Sequence, residues 1–396
     1  MTNPALAPTP VQRLLSLDVL RGITIAFMIM VNNNGGPGSW GFMNHAEWNG
    51  LTPTDLVFPT FVFVVGASVV FAFESRLARG ATRSALAWHT VQRAVILFVL
   101  GIVVNNFPFF AWRYMRFYGV LQRIAVAYLV VGLFYLWDKR ASTKAVALVA
   151  ALVGYYVLIR WAPVPGAGLP GRDFPFMDKS LNLVSWLDRL LMPHHLYLEW
   201  PGPNVLDPHN LRDPEGLLSD LPAVGTALLG MLTALWLRTP RSVPAKALGL
   251  AGATAGCLAS GYLWSIWFPL NKNLWTSSFV LAAAGYSLLV LTVAYWAVEQ
   301  WGLGKGQSKG LAYPWLVFGS NAIVAYMFSE LVPGIFGFLH FMDGGKKTDI
   351  LGWYARHVCS LIPNPGWAAF SYSVSFTAFC FLPVWILYRR RIFVKV

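Results

Sequence analysis

The sequence predicts an all-α, polytopic membrane bundle of about ten helices, a single transmembrane domain over 1–396 with both termini cytoplasmic. Three observations predict it: scarce charge, apolar runs of membrane-crossing length, and basic residues confined to alternate connections. The chain is 56% hydrophobic and 15% aromatic with only 12% charged residues, and its mean hydropathy is +0.54. A soluble domain carries about 25% charge. Near-continuous apolar runs of about 20 residues suit helices that cross the hydrocarbon core. The ~10-residue alternation of a membrane barrel is not seen.

In order, the expected spans are 15–34, 54–74, 85–106, 117–137, 144–161, 216–237, 246–268, 275–299, 311–332 and 367–388. The connections justify them in turn. Between spans 2 and 3 lie Arg76, Arg79 and Arg83, and between spans 4 and 5 Lys139, Arg140 and Lys144. Arg238, Arg241 and Lys246 follow span 6, and Lys305 and Lys309 follow span 8. Arg13 precedes the first span, while Arg389, Arg390, Arg391 and Lys395 follow the last. An even number of spans puts all of these on one side, and the positive-inside rule makes that side the cytoplasm. The outer loops are then about 35–53, 162–215, 269–274 and 333–366.

The net charge of +13 follows from these topology signals and implies no nucleic-acid partner. The long 162–215 loop holds seven acids against four bases. Cys257, Cys359 and Cys380 form no disulfide framework or CxxC metal site, and no metal is expected. The N-terminus lacks a basic n-region with a small-residue cleavage site, so the first apolar run is expected to stay as a helix.

Polar chemistry collects on the outer face. Val31 to Pro59, VNNNGGPGSWGFMNHAEWNGLTPTDLVFP, sets a run of three asparagines with two more beyond it, a lone histidine, His45, two acids and two tryptophans between apolar runs. His45 is the first candidate for an active site. Asn271, Lys272 and Asn273 lie in another outer loop, and Lys346, Lys347 and His357 in a third. Tryptophans such as Trp48 suit stacking on sugar faces; the competing reading is an interfacial aromatic belt.

Pieces spread nearly end to end carry a family resemblance: LDVLRG (17–22), NHAEWNGLTPTDLVFP (44–59), GVLQR (119–123), LDRLL (187–191), DPEGLL (213–218), NKNLW (271–275) and YRRRIF (388–393). The chain resembles the heparan-α-glucosaminide N-acetyltransferase family, as a short bacterial-type form. The resemblance implies acetyl transfer from cytoplasmic acetyl-CoA to the amine of a glucosamine-type sugar at the periplasmic face of a bacterial inner membrane. A homodimer is implied by family likeness alone. The family's catalytic histidine matches His45, and its partner asparagine matches Asn32. The spacing between them is two residues longer here, so Asn33 and Asn34 stay open as the active amide.

The chemistry suits these residue types. An ammonium cannot attack a thioester until it loses a proton, and a histidine with a pKa near ~6.5 can take it. An asparagine amide can donate to the thioester oxygen as charge develops there, and Glu47 or Asp55 can orient the imidazole. Direct attack in a ternary complex and an acyl-histidine intermediate are both open. For the donor phosphates the candidates are Arg21, Arg93 and Arg123, charged residues within spans; Arg21 has an alternative partner in Asp18, three residues before it. For the acceptor they are Trp48, Asn49, Asn271, Lys272, Asn273, Asn321 and Glu330. Asn321, Tyr326 and Glu330 recur along span 9 at helical spacing, with interhelical hydrogen bonding as the competing reading. His194, His195 and His209 read as loop histidines. A secondary transporter of amino sugars is the alternative function.

Overall fold

The structure, a computed structural model, describes residues 14–36, 38–197, 212–303 and 309–394. His209 of the long loop lies outside them. Five helices come first: α1 (Leu15–Asn32), α2 (Val57–Ala78), α3 (Arg83–Asn106), α4 (Val120–Trp137) and α5 (Ala141–Trp161). The short α6 (Leu183–Leu191) precedes α7 (Asp220–Leu237), α8 (Val243–Trp264) and α9 (Ser277–Tyr295). Then come α10 (Lys309–Ser320), α11 (Ala322–Phe338), a hairpin of β1 (His340–Asp343) and β2 (Lys346–Asp349), α12 (Ile350–His357) and α13 (Pro365–Arg389).

Helix starts carry local signals. The Thr82 side chain caps α3 by accepting from Ala85, Asn364 caps α13 by accepting from Trp367, and Pro365 follows at the first helical position. The turn before α2 is a capping box, in which Thr52 and Asp55 satisfy each other's backbone donors.

Eight of the described helices are long and apolar enough to cross a membrane, and α10 with α11, bent by 73° at their junction, make a ninth. The tenth expected span is α8. At 22 residues it is about 33 Å long, but its many Ala, Gly, Ser and Thr residues make it less apolar than the rest. It packs along α9. The bundle is therefore the expected all-α polytopic one.

Its centre is the packing of α2 on α7, with α4 and α9 beside them. Phe63, Val70, Met231 and Phe279 are buried there. Small residues let the backbones approach: a Cβ on Gly66 would lie 1.8 Å from the Ala227 carbonyl oxygen, and one on Gly230 1.9 Å from that of Phe63. A second cluster joins α1, α10, α11 and α13, so α1 borders both.

Gly66→Ala is expected to force these helices apart at a cost of about 1–3 kcal/mol. Gly252→Ala, where an added Cβ meets nothing within 4 Å, is the control. Thermal unfolding in detergent checks the pair, and equal melting temperatures would contradict this packing.

Candidate active site

The site grows from the segment joining α1 to α2. Asn33 and Gly35 end α1; Gly35 has φ +75°, and a Cβ there would sit 2.7 Å from the Ala369 Cα of α13. The segment then folds on itself. Asn34 Nδ2 donates to Asn44 Oδ1 (2.8 Å), Thr52 Oγ1 to the Asn44 carbonyl (2.8 Å) and Thr54 Oγ1 to that of Phe42 (2.8 Å).

Asp55 is the organiser. Its Oδ2 accepts from the backbone N–H of Ala46 (3.1 Å), the N–H of Thr52 (3.0 Å) and the Thr52 hydroxyl (3.0 Å). Its Oδ1 lies 2.7 Å from Nδ1 of His45. The Asp55 side chain is 1% exposed and that of His45 49%. A buried carboxylate with one oxygen filled by three donors can only present the other to the ring. It selects the tautomer with the proton on Nδ1 and leaves Nε2 unprotonated. Of the two acids expected near the histidine, Asp55 makes this contact.

The 269–276 loop supplies the next wall. The buried Asn271 donates from Nδ2 to the Trp48 carbonyl (2.9 Å) and Asn49 Oδ1 (3.1 Å), while its Oδ1 accepts from Leu274 N–H (2.8 Å). Gly50 N–H donates to the Leu270 carbonyl (2.8 Å), and Trp48 Nε1 to that of Met177 (2.9 Å). Trp48, Asn49 and Asn271, expected to bind an acceptor, thus hold two loops together. Asn273 is half-buried in the same loop. Lys272 does reach the centre, with Nζ 3.2 Å from both ring nitrogens of His45. Burial pulls its ammonium below the usual lysine range, against the opposing pull of Glu215 and Asp55.

Behind Lys272 lies a charge network that the sequence reading did not assign. Arg116 donates to both oxygens of Asp213 (3.0 and 2.6 Å) and to Glu215. Against the cost of burial, Arg116, Arg123 and Lys272 hold the Glu215 carboxyl below the usual glutamate range. Asp188 accepts from Leu217 N–H (2.9 Å) through Oδ1. Its carboxyl is pushed up to about 7, by burial first and then by Asp213 and Asp220, with the Leu217 N–H and Arg123 opposing. The available signal was charge within otherwise apolar motifs, DPEGLL and LDRLL.

Arg123 belongs to this network rather than to a phosphate site. It is fully buried one turn into α4. Its Nε donates to Asp220 (3.1 Å), and its Nη2 to the Gly216 carbonyl (3.0 Å) and Ser219. The guanidinium lies 4.8 Å from the Trp275 ring centroid. Arg21 is likewise engaged, by Asp18 (3.1 Å), Ser68 Oγ (2.8 Å) and the Gly319 carbonyl (3.4 Å). Arg93 sits 5.0 Å from the Tyr128 ring centroid, and its buried Nε, like Nη1 of Arg123, meets no hydrogen-bond partner among the described residues.

The asparagines at the end of α1 also separate. Asn33 Nδ2 returns to the Ile29 carbonyl (3.1 Å), Asn34 engages Asn44, and Asn32 Nδ2 donates to Glu330 Oε1 (3.0 Å) across to α11. Asn321 stands apart from Glu330. It holds the C-terminal tail, donating to the Ile392 carbonyl (3.1 Å) and accepting from Val394 N–H (2.9 Å). It is itself the non-helical residue at the bend between α10 and α11, so the helical face of Tyr326 and Glu330 does not extend to it. His195 Nδ1 contacts the Met115 carbonyl (2.7 Å) and its ring stacks on Phe117. Among the described residues no group of three or more His, Cys, Asp or Glu is placed to hold a metal ion.

A raised Asp188 carboxyl favours the folded state below about 4, and that contribution is lost as the pH rises through about 7. Stability is therefore expected to fall by about 1–4 kcal/mol between those limits, with Asp188→Asn flattening the decline. Thermal unfolding across this range checks it, and an unchanged slope in the variant would contradict it.

Residues 13–165 match the family model described as heparan-alpha-glucosaminide N-acetyltransferase, catalytic. The matched stretch runs from α1 through α5 and contains His45 and Asp55. The human heparan-alpha-glucosaminide N-acetyltransferase is 29% identical over 97% of this chain and 60% of its own length. The mouse enzyme of the same name is 27% identical over 100% of this chain and 62% of its own. The chain thus spans about three-fifths of the relatives it matches. The chain is thus similar to the heparan-alpha-glucosaminide N-acetyltransferases, in line with the resemblance carried by the sequence motifs.

Proposed function

We propose that the chain is an integral-membrane acetyltransferase that moves acetyl from cytoplasmic acetyl-CoA to the amine of a glucosamine-type sugar at the opposite face. The single observation that carries this reading is the His45–Asp55 pair, 2.7 Å apart on a half-exposed ring and a buried carboxylate. The likeness to the named relatives supports the same class, and the basic connections support a cytoplasmic donor side, with a bacterial inner membrane as the setting.

In this reading the sugar amine, once neutral, attacks the thioester carbonyl. Nε2 of His45 takes the proton that the nitrogen sheds and passes it to the departing sulfur, while Asp55 stabilises the transient imidazolium. A second N–H of Asn32 is the donor for the developing oxyanion, its first being held by Glu330. Arg93 is the candidate for the donor phosphates, because Arg21 and Arg123 are already engaged by carboxylates. Direct transfer is favoured over an acyl-histidine because Asp55 holds Nδ1 and Lys272 crowds the ring.

Purified protein with labelled acetyl-CoA and glucosamine tests the proposal. Wild type is expected to label the sugar, and His45→Ala to lose about 10²–10⁴-fold in rate. Full transfer by His45→Ala would refute the site. Asp55→Asn keeps an oxygen for the capping box, so its melting temperature should stay near wild type while transfer falls. If wild type transfers nothing yet carries the sugar across proteoliposomes, the protein is a transporter.

A further inference from the structure

Beside Asn32 the structure holds a cavity of about 350 Å³ between the end of α1 and the start of α12. Its lining residues include Asn32, Asn33 and Asn34, Asp349 and Tyr372 of α13. No lysine or arginine is among its lining residues. We propose that this cavity is the capture subsite for the acceptor, taking a protonated amino sugar with Asp349 as the partner of its ammonium. This rests on the acetyltransferase reading and deepens it.

Chemistry and geometry agree on that occupant. Beyond the bonds already named, Asn32 and Asn33 each keep one amide hydrogen and a carbonyl oxygen for a hydroxyl, the Tyr372 phenol adds another polar group, and one carboxylate selects a cation among neutral sugars. The volume lies at the lower end of that typical for small-molecule sites. Asp349 Oδ1 caps α12 by accepting from Gly352 N–H (2.7 Å), and Oδ2 receives no hydrogen bond from the described residues. The acceptor residues expected from the sequence point the same way, since Trp48, Asn49 and Asn271 already bond to one another and to Met177. The cavity also adjoins the chemistry. Asn32 forms part of its wall, and Asn34 bonds to Asn44, the residue before His45. The ammonium is drawn to Asp349 and sheds a proton to water, and the neutral amine then attacks beside His45.

Asp349→Asn tests this, because asparagine caps a helix as well as aspartate does and only the charge is removed. Calorimetry with glucosamine and with glucose, on full-length protein in detergent, reads binding apart from turnover. Wild type is expected to bind glucosamine at least about tenfold more tightly than glucose, and the variant to lose that preference. In the transfer assay the variant's KM for glucosamine should rise by a similar factor, with kcat little changed. An unaltered preference and KM in the variant, or no preference in wild type, would overturn the subsite. A wild type that binds glucosamine selectively but transfers no acetyl would instead overturn the acetyltransferase reading. Tyr372→Phe, which leaves the cap untouched, should weaken both sugars together; unchanged binding of both would count against the cavity.

Discussion

One buried carboxylate sets both the fold and the orientation of His45 at the end of the bundle where α1 meets α2. Asp55 closes the capping box that starts α2, receives the Ala46 N–H and holds the His45 ring. A carboxylate this deeply buried must be fully hydrogen-bonded. The segment from Asn44 to Thr52 therefore has little choice but to wrap around it, and the histidine is aimed by the same requirement that begins the helix.

The same rule governs the neighbouring charges. Arg116 with Asp213 and Glu215, and Arg123 with Asp220, pair ions taken out of water, which is tolerable only with close partners and further hydrogen bonds. These pairs fasten the segment before α7 to the start of α4 and set Glu215 within electrostatic reach of Lys272. The motifs LDRLL, DPEGLL and NKNLW, far apart in sequence, are thus parts of one scaffold behind His45.

Much of the bundle was legible because a helix that must cross hydrocarbon needs about twenty apolar residues, a demand written directly in the chain. The span expected at 85–106 is α3, Arg83–Asn106. Span 9 was harder. Its spacing of Asn321, Tyr326 and Glu330 assumes one straight helix, and the 73° bend removes Asn321 from the shared face. His45 and Asp55 were readable from a lone histidine and a nearby acid in an apolar chain. The partners of Asn271, Arg123 and Arg116 were not, because contacts across more than ninety residues leave no periodic trace.

Donor and acceptor must meet at His45 for any of this to act as chemistry. The most direct test is a structure of the protein with a thioether analogue of acetyl-CoA that cannot transfer its acyl group. The account predicts the acyl carbonyl between Asn32 and His45, its oxygen within hydrogen-bond distance of the Asn32 amide and its carbon facing Nε2. An acyl group more than a helical turn from His45, or on the far side of Asp55, would contradict it.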